Sequence, residues 1–182
     1  MHPADLRSRL GATDIALLDQ ILKGRLDPPL RLLDAGCGGG RNLTLFRQEG
    51  YEVHAVDLVP RDLPGFREAP VERLPYEDRF FDAVLCIAVL HFARDRTHFE
   101  AMTREMGRVL RPGGLFFARL STTLGRGAGM PPPPPDWFLA DGPLLAANEA
   151  MLDAERLDPL KTVVVDGLRT MTTWVLRKGQ PR

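Results

Sequence analysis

The run Asp34-Ala35-Gly36-Cys37-Gly38-Gly39-Gly40 constrains this chain more than any other stretch. It follows the short apolar segment Arg31-Leu32-Leu33 and precedes a helix-like segment, 42–49, that Gly50 stops. A buried strand, a glycine turn and a helix in that order open an α/β sheet of parallel strands. Glycines in such a turn let the backbone take positive φ and approach a ligand closely. A helix N-terminus beyond them is expected to offer unpaired N–H groups. In open parallel sheets, ligands bind outside the carboxyl ends of the strands, where this turn lies.

The rest of the chain extends the pattern. Residues 14–23 repeat apolar groups at helical spacing, with Thr13 or Asp14 as the cap, before Pro28 and Pro29 break the chain. Residues 51–57, 66–70, 81–87 and 115–120 read as strands two to five. Between the last two, residues 97–110 form a helix with Phe99, Met102, Met106, Val109 and Leu110 on one side, ended by Pro112-Gly113-Gly114. Strands and helices alternating at this spacing imply βαβ units and a sheet covered on both faces. Residues 121–138, with Gly125, Gly127 and Gly129 ahead of five consecutive prolines, form a loop with one stiff arm. A helix over 139–152 and an antiparallel hairpin over 161–166 and 170–177 complete the chain. The organisation expected is one domain over 1–182. It comprises a helical extension (1–29), a cofactor-binding core (30–120), the Gly/Pro loop (121–138) and a helix with the C-terminal hairpin (139–182).

Composition removes several classes of function. The 182 residues carry 24 basic and 24 acidic side chains, so no charge excess points to nucleic acid or anionic lipid. No window reaches the length of a membrane span, and the first nine residues lack the apolar stretch of a signal peptide. Cys37 and Cys86 sit in apolar or glycine-rich surroundings and read as reduced thiols, so a cytoplasmic location is expected. No set of His, Cys, Asp and Glu has metal-ligand spacing.

The glycine turn is not a dinucleotide fingerprint. Counted from Gly36, its sixth position is Arg41 rather than Gly, and no Lys-Ser/Thr pair makes a Walker loop. Asp34 ends the strand with a carboxylate, which repels a pyrophosphate and attracts an ammonium, directly or through water. Asp57 ends the next strand, where an acid can accept hydrogen bonds from a ribose diol. As a strand-end group it is one the fold is expected to lose cheaply. Two acids around a glycine turn suit a ligand with a ribose, an amino-acid end and a positive centre. S-adenosylmethionine has all three.

The chain resembles the class I S-adenosylmethionine-dependent methyltransferases, specifically the small ubiquinone-biosynthesis-like group (methyltransferase type 11). Four motifs carry the resemblance: Leu32 to Gly40, Val56-Asp57-Leu58, Leu74-Pro75-Tyr76 followed by Phe81-Asp82-Ala83-Val84, and Leu110-Arg111-Pro112-Gly113-Gly114. It covers about residues 30–120 and implies a Rossmann-like three-layer sandwich. The sheet is then mostly parallel and seven-stranded, in order 3-2-1-4-5-7-6, with an antiparallel C-terminal strand. The cofactor site it implies comprises Asp34, Gly36, Cys37, Gly38, Asp57, Leu58, Val71, Glu72 and Ile87, the last presenting backbone to the methionine end. The chain departs from the family at Pro70, where an acid usually meets the adenine amine. Adenine is then left to backbone groups of Val71 and Glu72 or to the Glu72 side chain.

Methyl transfer mainly needs alignment and the exclusion of water. His91, just past strand four, is the candidate to contact an acceptor or take its proton; a structural histidine capping a turn is the alternative. His54 reads as structural, His98 as exposed on its helix, and Cys37 as lining the site without acting as a nucleophile. Met130, Trp137 and Phe138 can wall an acceptor site or simply pack the loop down. A small-molecule acceptor is expected, with no nucleic-acid or membrane partner. A non-catalytic S-adenosylmethionine-binding module and a nucleotide-cofactor oxidoreductase are the alternatives.

Overall fold

Strand β1 (Arg31–Ala35) lies mid-sheet and is buried from Leu32 onward, with Leu33 and Ala35 packing into one core and Leu32 into the other. The computed structural model describes residues 2–27 and 30–180; Pro28 and Pro29 lie outside the described residues. In chain order the elements are α1 (Pro3–Leu10), α2 (Ile15–Leu22), β1, α3 (Leu43–Gln48), β2 (Glu52–Asp57), β3 (Phe66–Glu68) and β4 (Phe81–Ile87). A 3-10 turn (Leu90–Phe92) leads to α4 (Arg96–Val109), β5 (Leu110–Leu120), α5 (Gly142–Met151), β6 (Ala154–Arg156), β7 (Lys161–Val165) and β8 (Arg169–Lys178).

The sheet runs β3-β2-β1-β4-β5-β8-β6, with β7 also paired to β8. All pairings from β3 to β5 are parallel, and β8 is antiparallel to β5, β6 and β7. The expected order and the antiparallel final strand are both present. The count differs, with eight strands instead of seven among the described residues. The extra one is β6, which pairs with residues 176–178 of β8, whereas β7 pairs with residues 169–173. The two share one edge of β8 end to end, so eight strands fill seven lanes.

Side chains alternate across the sheet into two cores. On β4, Phe81, Val84 and Cys86 face the layer built from Phe99, Met102 and Met106 of α4 and Leu144 and Leu145 of α5. Ala83, Leu85 and Ile87 face the layer holding Leu17 of α2 and Leu43 and Phe46 of α3. This is the three-layer sandwich. The Pro112-Gly113-Gly114 turn does not precede β5 but lies inside it. The β4–β5 register jumps there from Phe81↔Leu110 to Ala83↔Leu115.

Two links fix the N-terminal helices near the carboxyl ends of the strands. Asp14 caps α2 by accepting the Ala16 N–H at 2.9 Å, and its other oxygen accepts from Arg119 Nη1 on β5 at 2.5 Å. The Asp14 N–H donates to Asn42 Oδ1 at 3.0 Å, at the start of α3. The Gly/Pro loop is pinned at both ends, by a parallel bridge between Thr122 and Ala140 and by the Phe138 N–H on the His91 carbonyl at 2.9 Å.

Candidate active site

A cleft of about 800 Å³ opens at the carboxyl ends of β1, β2 and β4. Gly36, Cys37 and Gly38 form one wall, with Asp57 and Leu58 beside them, Val71 and Glu72 beyond, and Ile87 at the end of β4. Eight of the nine residues expected to hold a cofactor therefore converge on one cavity.

The loop is shaped by its own hydrogen bonds. The Gly36 and Cys37 N–H groups both donate to the Val56 carbonyl at 2.9 Å, and the Gly40 N–H donates to the Cys37 carbonyl at 2.9 Å. The Gly38 N–H donates to Asp57 Oδ2 at 2.8 Å. The expected row of free amides is thus largely spent inside the fold, and the Leu43 N–H at the start of α3 is taken by the Gly40 carbonyl. The loop supplies shape. Gly36 has φ +81°, and a Cβ there would lie 2.3 Å from Val89 Cγ2. No other residue fits this crossing of the β1 and β4 ends.

Asp34 corrects the sequence reading. It does not line the cleft; it lies beneath the loop at 1% exposure, flanked by Ala55 on β2 and Leu85 on β4. Both of its buried carboxylate oxygens lack a hydrogen-bond partner. Burial is the main cause that raises its pKa to about 7; Arg41 pulls the other way and Asp57 adds to the rise. Cys37 behaves as expected: burial and the nearby carboxylates push its thiol up to about 12, so it lines the site as a neutral group.

His91 is the second correction. It lies outside the cleft lining, at 2% exposure. Its Nδ1 accepts from the Ser121 N–H at 3.3 Å, and its ring packs on Trp137 at 4.3 Å between centroids. Burial, helped by Arg169, lowers its pKa to about 4. Position at the end of β4 suggests an active-site histidine, but the 3-10 turn directs the ring into the seam under the Gly/Pro loop. This placement fits the structural alternative.

His98, expected to be exposed, lines the cleft instead. Its Nδ1 accepts the Arg94 N–H at 3.1 Å, and its Nε2 sits 3.1 Å from Glu72 Oε1, close enough to pair with the carboxylate but not aligned as a hydrogen bond. The cleft also takes Ala88, Phe92, Arg94 and Met102, none of them anticipated. Ala88 has φ +61°, a costly conformation for a residue with a Cβ, held by its N–H on the Arg119 carbonyl at 2.8 Å. The signal available for His98 was its place in the first turn of α4, which starts at the strand-end rim. Among the described residues, no group of three or more His, Cys, Asp or Glu side chains could hold a metal ion. Among the described residues, no helix is long and apolar enough to cross a membrane.

Comparison with known proteins agrees with this geometry. Residues 33–118 match the methyltransferase domain family. The ubiquinone biosynthesis O-methyltransferase of Methylocella silvestris is 36% identical over 102 residues, which cover 49% of this chain and 39% of that protein. The match thus takes in about two fifths of the relative's length. A crystal structure of the 1,6-didemethyltoxoflavin-N1-methyltransferase of Burkholderia thailandensis, with 1,6-didemethyltoxoflavin and S-adenosylhomocysteine bound, superposes with a TM-score of 0.70. It is 25% identical and covers 97% of this chain and 82% of that one. The [4+2]-cyclase SpnF superposes with a TM-score of 0.71 at 20% identity, over 91% of this chain and 81% of that one, a likeness of fold alone. Strand order, glycine loop and family match converge: over residues 33–118 the chain is similar to the methyltransferase domain, and it shares the fold of S-adenosylmethionine-dependent methyltransferases.

Proposed function

We propose that this protein transfers a methyl group from S-adenosylmethionine to a small-molecule acceptor. The observation that carries the reading is the Asp34 carboxylate, buried under the glycine loop with both buried oxygens unpartnered. An unpaired buried acid is costly, and a ligand with a positive end offsets that cost. The loop above it has few free amides, so the same place is poor for a pyrophosphate, which argues against the oxidoreductase reading. The residues present therefore fit S-adenosylmethionine. Gly36, Cys37 and Gly38 would flank its methionine end with Ile87 opposite. Asp57 would receive the ribose, since each carboxylate oxygen keeps lone pairs beyond those used by Gly38 and Val59. Leu58, Val71 and Glu72 would border the adenine.

When bound, this ligand supplies a methyl group activated by its sulfonium. The chain's part is to align the acceptor and keep water out. With His91 buried outside the cleft, alignment carries the catalysis. Glu72, beside His98, is the carboxylate available where an acceptor must lose a proton. The buried thiols of Cys37 and Cys86 support a reducing compartment such as the cytoplasm.

A cyclase shares the fold, so the test must follow the methyl group itself. The purified protein is incubated with S-adenosylmethionine and a metabolite panel while S-adenosylhomocysteine release is measured, with calorimetry for S-adenosylhomocysteine binding in parallel. Acceptor-dependent release is the expected result. Binding without release from any acceptor would establish the non-catalytic module instead.

A further inference from the structure

A second cavity, of about 450 Å³, adjoins the cleft and shares two lining residues with it, Phe92 and Arg94. Its other walls include Asp136, Trp137 and Phe138, from the end of the Gly/Pro loop. We infer that this outer cavity is the acceptor subsite, and that it takes a planar aromatic molecule bearing an acidic group that pairs with Arg94. The inference rests on the proposed methyl transfer and names its substrate class.

The aromatic preference follows from the walls. Phe92, 52% exposed, is the one aromatic among the exposed large hydrophobics of the described residues, and it lines both cavities. Trp137 meets it edge to face, with centroids 6.0 Å apart. Both rings pack on the buried His91 imidazole, Phe92 at 4.6 Å and Trp137 at 4.3 Å between centroids. Preset rings of this kind favour a flat guest, because little side-chain freedom is lost on binding.

The acidic group follows from the charges. Within the cleft, Asp57 is taken by the Gly38 and Val59 N–H groups, Glu72 stands beside His98, and Arg41 lies 3.7 Å from Asp14. Arg94 is the remaining ionised side chain of the cleft. Its backbone N–H is fixed on His98, yet its guanidinium makes no ion pair or hydrogen bond among the described residues. Asp136 lines the outer cavity with Arg94 but forms no ion pair with it, so the guanidinium stays available. A guanidinium at the junction presents paired donors to a carboxylate or similar planar anion. It holds the acceptor's acidic group at the junction while the ring lies against Phe92 and Trp137.

The test uses wild-type protein saturated with S-adenosylhomocysteine and titrates benzoate, 4-hydroxybenzoate and salicylate against the corresponding amides. We expect at least one acid to bind about tenfold more tightly than its amide at pH 7. Arg94→Gln should abolish that gap while leaving S-adenosylhomocysteine affinity within about twofold. Trp137→Ala should weaken acid and amide alike. Equal binding of acids and amides, or no binding by any acid, overturns the inference. So does a large loss of S-adenosylhomocysteine affinity in Arg94→Gln, which would assign Arg94 to the amino-acid carboxylate of the methyl donor. Failure of the wild-type protein to bind S-adenosylhomocysteine would instead overturn the function reading on which the inference stands.

Discussion

Asp57 Oδ2 accepts the Gly38 N–H at 2.8 Å, so the acid that ends β2 also holds the loop that follows β1. Its other oxygen accepts the Val59 N–H at 3.0 Å. The residue read as a ribose ligand is therefore also a brace between two motifs, and the expectation that the fold loses it cheaply fails on these two bonds.

Asp57→Ala should accordingly lower both stability and ligand affinity. Two hydrogen bonds to a partly exposed carboxylate suggest a stability loss of about 1–3 kcal/mol in total. Asp57→Asn keeps one acceptor oxygen and should lose less stability, yet still bind S-adenosylhomocysteine weakly. Denaturant titration and calorimetry on both variants check this. Undiminished ligand affinity in a folded Asp57→Ala protein would remove the ribose assignment.

Gly36 and Gly38 of the loop should respond differently to a methyl group. Gly36→Ala meets Val89 Cγ2 at 2.3 Å as well as the positive-φ penalty, while Gly38→Ala, at φ +52°, meets nothing within 4 Å. Overpacking and backbone strain together suggest a loss of about 2–4 kcal/mol for the first, against about 1–2 kcal/mol for the second. Adding Val89→Ala to Gly36→Ala should recover the steric part and leave the backbone part. Equal melting temperatures for the two single variants would contradict the close crossing of β1 and β4.

Asp34 and His91 should tilt the pH dependence of stability in opposite directions. Asp34 has its folded pKa raised to about 7 from 3.8, so the folded state binds the extra proton and stability falls as pH rises between those values. His91 has its folded pKa lowered to about 4 from 6.5, so the unfolded state binds the extra proton and stability rises with pH across that window. The two slopes largely offset each other in the wild type. Asp34→Asn should expose the rising limb and His91→Gln the falling one, in chemical denaturation from pH 4 to 8. His91→Gln should also leave the pH profile of methyl transfer without a lost inflection, because the ring lies outside the cleft. A lost inflection would restore His91 as the base.

The sequence shows some of this plainly and hides the rest for physical reasons. β4 is legible to its last residue because six of its seven residues are apolar, as a central parallel strand demands, and Asp57 is legible because it ends β2. β6 is not: three residues, Ala154–Arg156, become a strand only by pairing with the end of β8. α1 buries none of its residues and so carries no apolar stripe. It stands on a capping box between His2 and Asp5. His91 and His98 exchange their expected places because sequence fixes where along the chain a ring sits, not which way a 3-10 turn and a first helical turn aim it. For Asp34 the sequence gives a place at the strand end, but whether an acid lines a cleft or lies under it depends on the neighbouring strands.

The Gly/Pro loop supplies the last prediction. It is held at its two ends, through Thr122 and Ala140 and through Phe138 and His91, while the stretch between carries Gly127 and Gly129 in open space and the five prolines. Internally, the Met130 N–H donates to the Gly127 carbonyl and the Trp137 N–H to the Pro134 carbonyl, so each arm is a local turn rather than part of the core. A stiff arm on a flexible base can close over the outer cavity and keep water from the reacting groups. Replacing residues 127–133 with a short Gly-Ser turn leaves Trp137, Phe138 and every cleft residue in place. Melting temperature and S-adenosylhomocysteine affinity should stay close to wild type. Turnover with the acceptor found by the release assay should fall at least about tenfold, the rate expected when closure no longer excludes water. Wild-type kcat and KM in the shortened protein would show the loop to be a surface insertion with no part in the reaction.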